Sequence, residues 1–338
     1  MHGSNSTREA EIRRETARPT VLVTGATGFV GSHIVQDARA QGFRTIGLAR
    51  RATPSLGEHR VVPGWSVAAL TQALQNVDVV IHGAAVVRRG GEREGDHVYT
   101  RFNIEETRNL IEACRARGVR RIVYLSTVKV YGESSYVPMD EQSRVAPKGV
   151  YASTKLAAER LLAQAEREGG PELVILRLCP VFGVGDKGSI RTMIRAIAPR
   201  RFAVPGDGAT RKSLVHVSVV TAAAVAAVQS PAKGVFVIAD PVVPTVGQLS
   251  DMIARALGRR GPPHVPTAAL YMSAFGVELA ARCLGKGPSW HRDLIRKALS
   301  PSICNPARAE HELGINCHVD LVEALRAEVA WLRGLGEI

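Results

Sequence analysis

The stretch Pro19-Thr20-Val21-Leu22-Val23-Thr24-Gly25-Ala26-Thr27-Gly28-Phe29-Val30-Gly31 constrains this chain more than any other part of it. A short β-branched, apolar run breaks into three glycines, and an amphipathic segment, Ile34 to Ala40, follows at once. Strand, glycine turn and helix in that order form a phosphate cradle. Gly25 permits the tight turn, Gly28 lets main-chain amides approach a pyrophosphate, and Gly31 lets the helix pack on the strand. The helix N-terminus adds partial positive charge, and Thr27, Phe29 and Val30 belong to the same cradle. The spacing is Gly-x-x-Gly-x-x-Gly, and a plain strand–helix connection is the competing reading.

The next strand, Thr45 to Leu48, ends at Ala49-Arg50-Arg51. A carboxylate there binds the ribose hydroxyls of NAD, whereas an arginine accepts the 2′-phosphate of NADP. With no acid at this turn, the sequence predicts NADP(H) held in part by Arg50, with NAD(H) as the alternative.

Tyr151-Ala152-Ser153-Thr154-Lys155 places a phenol and an ammonium one helical turn apart, in a run of strong helix formers that stops at Gly169-Gly170. A free phenol with pKa near ~10 is a poor acid or base at neutral pH. A cation nearby favours the phenolate, so Lys155 is expected to lower the pKa of Tyr151. Such pairs also occur on solvated helix faces, and what counts is the company this one keeps.

Three further segments supply that company. Asp78 to Ala85 reads as a buried strand opening onto small residues, which puts Ala84 and Ala85 beside the cofactor. Arg121 to Gly132 is a strand carrying hydroxyls at its end, and Leu173 to Arg177 is another buried strand. In this order, from Thr20 to Trp331, the set resembles the extended short-chain dehydrogenase/reductases, the NAD-dependent epimerase/dehydratase superfamily. The resemblance implies an α/β fold: a Rossmann-type doubly wound parallel sheet with a smaller mixed α/β C-terminal substrate lobe. It also implies roles. Tyr151 would exchange a proton with the substrate oxygen, Thr127 would hydrogen-bond that oxygen, and Lys155 would hold the nicotinamide ribose.

Dehydratases of this superfamily carry an Asp-Glu pair directly after the catalytic threonine; here stand Val128 and Lys129, so dehydration is not expected. The form Ser126-Thr127-Val128-Lys129-Val130 looks like a subgroup of nucleotide-sugar 4-keto reductases and epimerases. Lys129, Lys187, Arg211 and Lys212 are then candidates for the substrate diphosphate. Arg211 and Lys212 fit a solvated basic turn equally well. Four positions depart from the epimerase pattern: Trp65 for an aspartate, Glu106 for a glycine, Pro180 for an asparagine and Ser218 for an aspartate. Pro180 and the missing acidic turn fit a reductase that releases its cofactor, and the hydroxysteroid and dihydroflavonol reductase branch is the alternative. A non-catalytic dinucleotide sensor is more remote, because Thr127, Tyr151 and Lys155 are all present.

The expected organisation is a disordered polar tail over 1–18, a dinucleotide-binding domain over 19–178 carrying the catalytic residues, and a substrate lobe over 179–338 with segments returning to the core. No secretion signal is read at the start, and a cytoplasmic enzyme is expected. The net charge of +13 could suit nucleic acid, but the charges are scattered and aromatics make up only 5%. No nucleic-acid partner is therefore expected. Five widely spaced cysteines read as reduced thiols, and no metal site is expected. No run long enough to span a bilayer is free of charge; Thr267 to Gly285, the nearest case, reads as an amphipathic helix covering the substrate lobe, with a lid or partner contact, membrane-adjacent for a lipid-like substrate, as the alternative. A homodimer through helices around 101–114 and 151–166 is implied by the resemblance alone.

Overall fold

Val21, Leu22 and Val23 are fully buried in one strand, as an uninterrupted apolar run implies for a strand covered on both faces. The computed structural model describes residues 18–86, 95–132, 135–283 and 291–338. Apart from Arg18 the polar segment 1–18 lies outside the described residues, as does the end of the 267–285 stretch.

The strands of the central sheet are β1 (Val21–Thr24), β2 (Thr45–Ala49), β3 (His59–Val61), β4 (Val79–His82) and β5 (Arg121–Thr127). After a short outlying strand, β6 (Ser135–Met139), comes β7 (Glu172–Leu178). Three two-residue strands follow, β8 (Val181–Phe182), β9 (Val204–Pro205) and β10 (Val215–His216), before β11 (Gly234–Ile238) rejoins the sheet. The strand order is β11-β7-β5-β4-β1-β2-β3, with every pairing parallel. The direction of winding reverses between β1 and β4, and such a switch point leaves a crevice at the carboxyl ends of the strands.

The helices preceding β7 are α1 (Phe29–Ala40), α2 (Val67–Ala73), α3 (Asp96–Thr100), α4 (Glu106–Arg117) and α5 (Val150–Arg167). After it come α6 (Ser189–Ile197), α7 (Val217–Gln229), α8 (Val246–Ala256), α9 (Thr267–Cys283), α10 (His291–Leu299), α11 (Ala307–Leu313) and α12 (Leu321–Gly334). Alternate residues of β1 feed two separate cores. Val21 and Val23 pack with Ile34 and Val35 of α1 and Ala223 of α7, whereas Leu22 packs with Leu70, Leu110 and Leu162 from α2, α4 and α5. Each fully buried aliphatic side chain contributes roughly 1.5–3 kcal/mol, so the two layers fix the sheet between them.

A third core joins Ile194 of α6, Ile253 of α8 and Leu325 and Val329 of α12 with Phe182 of β8. Two further short strands, β12 (His264–Val265) and β13 (Ser302–Cys304), pair with β9 and β6. The fold class is therefore the one the resemblance implied. Helix α9 lies within the 267–285 stretch; of its side chains described, up to Gly276, Ala274 is buried while Met272 and Phe275 are exposed. Among the described residues, no helix is long and apolar enough to cross a membrane.

Candidate active site

The glycine turn lies at the carboxyl end of β1. Gly25 has φ of 72°, and a Cβ on it would stand 2.8 Å from the main chain of Gly83 and Ala84. A Cβ on Gly31 would stand 2.2 Å from the carbonyl oxygen of Gly25, so the helix sits on the turn with no room for a methyl group. Gly28 caps α1 without any side-chain hydrogen bond, and no acidic residue occupies the first turn. The amides at this helix end are thus left unclaimed by side chains, which is what a pyrophosphate requires. Thr27 and Gly28 are exposed, Phe29 and Val30 half-buried.

The opposite wall, Gly83 to Val86, is held by a buried hydrogen-bond chain. The amide of Ala84 donates to Thr24 Oγ1 at 3.1 Å, and Thr24 Oγ1 lies 2.8 Å from His82 Nδ1. His82 Nε2 lies 3.0 Å from Thr107 Oγ1, which donates to the carbonyl of Asn103 at 2.9 Å. With Thr107 donating onward, it accepts from the ring; the proton is assigned to Nε2, and Nδ1 accepts from Thr24. Burial, and then the Lys155 charge, push His82 down to about 3, so the ring is neutral. Asn103 sits in a π-helical turn, Arg101–Glu105; its carboxamide accepts from the Val86 amide at 2.9 Å and donates to Thr154 Oγ1 at 3.1 Å. The loop bearing Ala84 and Ala85 is tied in this way to the helix that carries Tyr151 and Lys155.

Thr127 ends β5, and its hydroxyl accepts from the Lys129 amide at 3.3 Å. The Lys129 ammonium stands over the Tyr151 ring, 5.7 Å from its centroid. Lys155 is almost fully buried; it donates to the Leu125 carbonyl at 2.6 Å and lies 4.0 Å from the Tyr124 ring centroid. Thr127, Tyr151, Lys155 and Lys129 thereby meet at the carboxyl end of β5. The expected electrostatics differ, however. Burial, and then Tyr99, push the Tyr151 phenol up to about 12. Burial likewise pushes the Lys155 ammonium down to about 7, with Glu159 opposing. Desolvation outweighs the expected lowering of the Tyr151 pKa by Lys155.

Beneath these groups lies a network that sequence reasoning missed. Arg177 of β7 pairs with Glu159 of α5 at 2.7 Å, both side chains buried. Ser126 Oγ donates to the same carboxylate, and Arg177 donates to Tyr131 Oη at 2.9 Å. Two signals were available: Glu159 stands one helical turn beyond Lys155, and Arg177 is the lone charge among the apolar residues that follow Glu172 in β7.

The other candidates scatter. Lys187 and Arg211 are exposed. Lys212 sends its ammonium to the carbonyls of Lys297, at 2.7 Å, and Ser300, at the end of α10. Arg50 pairs with Glu106 at 3.1 Å, and its guanidinium carbon stacks 4.3 Å from the Phe102 ring centroid. Next to that pair, a cavity of about 360 Å³ is lined by Trp65, Ser66, Arg101, Glu106 and Asn109 among others. Among the described residues, no group of three or more His, Cys, Asp or Glu is placed to hold a metal ion.

The profile of the NAD dependent epimerase/dehydratase family matches residues 21–239. The UDP-glucose 4-epimerase of Vibrio cholerae is 26% identical over 278 residues, covering 79% of this chain and 83% of that protein. The 3-diazoavenalumate denitrifying reductase of a Streptomyces species is 32% identical over 263 residues, covering 73% and 84%. Among solved structures, MoeE5 in complex with UDP-glucose and NAD superposes with a TM-score of 0.73 at 28% identity, covering 94% of this chain and 99% of that one. The expected preference for NADP(H) is corrected here. That neighbour holds NAD, and the arginine on which the expectation rested is already paired with a carboxylate.

Proposed function

This chain belongs to the NAD dependent epimerase/dehydratase family, and we propose that it is an NAD(H)-dependent 4-epimerase of a UDP-linked sugar. What supports this reading is that Thr127 ends β5, Lys129 links it to the Tyr151 ring and Lys155 reaches the Leu125 carbonyl of the same strand, while the glycine turn after β1 carries no side-chain cap. The turn from Gly25 to Gly31 and the N-terminus of α1 hold the pyrophosphate, Ala84 and Ala85 line the nicotinamide side, and the cavity beside Trp65 takes the adenine. A bound nicotinamide supplies hydride acceptance and return.

The protein's own groups do the rest. Tyr151 Oη takes the proton from the sugar hydroxyl and gives it back, while Thr127 Oγ1 fixes that oxygen in place. Held near 12, the phenol keeps its proton at neutral pH and serves as the acid. To act as the base it draws on the cations at Lys155 and Lys129. Lys129 and the exposed Lys187 and Arg211 offer charge to the diphosphate. A reductase is the second reading, favoured by Pro180 where epimerases of the family place an asparagine. A cytoplasmic homodimer through α4 and α5 belongs to the same proposal.

Incubation of the purified protein with UDP-glucose, UDP-N-acetylglucosamine or UDP-glucuronic acid and NAD, followed by chromatography of the sugars, tests the assignment. A 4-epimer from at least one of them is expected. Net consumption of NADH with a 4-keto sugar, and no epimer from any sugar, would replace epimerase with reductase.

A further inference from the structure

Helix α9 exposes apolar surface where a soluble enzyme ordinarily buries it. Met272 keeps 74% of its surface in solvent, Phe275 55% and Tyr271 38%. With the exposed Ala268, these side chains fall within one arc of roughly 100° on the helix. The surroundings are basic: residues 255–297 carry eight Lys and Arg against two acidic residues. Exposed Arg259 and Arg260 lead into α9, and exposed Arg296 and Lys297 lie on α10, which packs beside it.

We infer that this face docks on an anionic lipid surface, with the stripe of α9 in the interface and the flanking arginines and lysine against the headgroups. An apolar arc with aromatic and methionine side chains between cations is the anatomy of an in-plane interfacial helix. The charge argues against a second copy of the chain as the occupant. A two-fold interface brings each patch against its own equivalent, and here it would set cation against cation. An anionic bilayer neutralises the same cations.

The inference goes beyond the sugar assignment and does not depend on it.

The test is flotation of the full chain with vesicles of phosphatidylcholine alone and with about a third phosphatidylglycerol. Binding to the anionic vesicles is expected, weakening several-fold as salt rises to ~0.5 M. Met272→Glu with Phe275→Glu should lower binding by about tenfold or more while NAD titration and thermal midpoint stay unchanged, because neither side chain is buried. Failure to float with anionic vesicles overturns the inference, as does flotation indifferent to the double substitution. Sedimentation showing that the double variant splits a dimer would assign the face to a protein contact instead.

Discussion

Glu328 of α12 is fully buried, and neither carboxyl oxygen makes a well-formed hydrogen bond among the described residues. Burial, and then the nearby Asp186, push its carboxyl from the ordinary 4.5 up to about 8. The Gly183 amide, too poorly placed for a well-formed bond, and then Arg191 of α6 oppose this, but the Arg191 guanidinium is already paired with Glu337 and stacked on Trp331. Asp186 itself accepts from the amide of Gly188 at 2.6 Å. An acid with a raised folded pKa binds more protons folded than unfolded between the two values, so stability falls as pH rises from the lower to the higher. The shift from 4.5 to about 8 corresponds to about 5 kcal/mol when fully expressed, at about 1.4 kcal/mol per unit.

Glu328→Gln removes the titration while keeping the shape. An unpaired amide still costs about 1–3 kcal/mol, but that cost does not depend on pH. The gain of the variant over the natural chain should therefore grow by about 4 kcal/mol between about pH 5 and pH 8.5. Urea denaturation of both proteins at the two pH values measures it. A stability difference that stays constant with pH would refute the reasoning, because it would mean that Glu328 is paired or hydrated in the folded chain.

Other perturbations test the cleft. Tyr151→Phe should lower turnover by about two or more powers of ten with the thermal midpoint retained; near-normal turnover would remove the phenol from the chemistry. Gly31→Ala forces a methyl group against the Gly25 carbonyl, so NAD titration should weaken by about tenfold or more and stability should drop by about 1–3 kcal/mol. Glu106→Gln frees the Arg50 guanidinium, and the ratio of NADP to NAD affinity should rise several-fold, whereas the natural chain should bind NAD more tightly. An unchanged ratio in competitive titration would show that Arg50 has no part in cofactor choice.

The parallel sheet was legible because its central strands are mainly apolar runs: Val79–His82 and Arg121–Thr127 lie within the Asp78–Ala85 and Arg121–Gly132 segments read as strands, the second stopping at Thr127. Helix α5 also follows from its formers and the Gly169-Gly170 stop. What stayed hidden depends on partners distant in sequence. Arg50 reads as a phosphate ligand until Glu106, far along the chain on α4, is seen to take it. Lys212 reads as a diphosphate contact until the end of α10 arrives beneath it. The pKa of Tyr151 is set by how deeply its ring lies in the cleft, and local spacing carries no record of depth. The exposure of α9 is hidden for the same reason, since periodicity says which residues share a face but not what that face meets.

The chain through Thr24, His82 and Thr107 has a direction. Every hydrogen points the same way, from the Ala84 amide towards the Asn103 carbonyl, and the imidazole is the one link that receives on one nitrogen and gives on the other. A second proton on that ring would turn its receiving end into a giver facing the Thr24 hydroxyl. Thr24 would then have to swing its own hydrogen elsewhere, its two lone pairs accepting from the ring and from the Ala84 amide. Acid added at one imidazole would thus be felt first as a turned hydroxyl at the end of β1, next to the glycine turn.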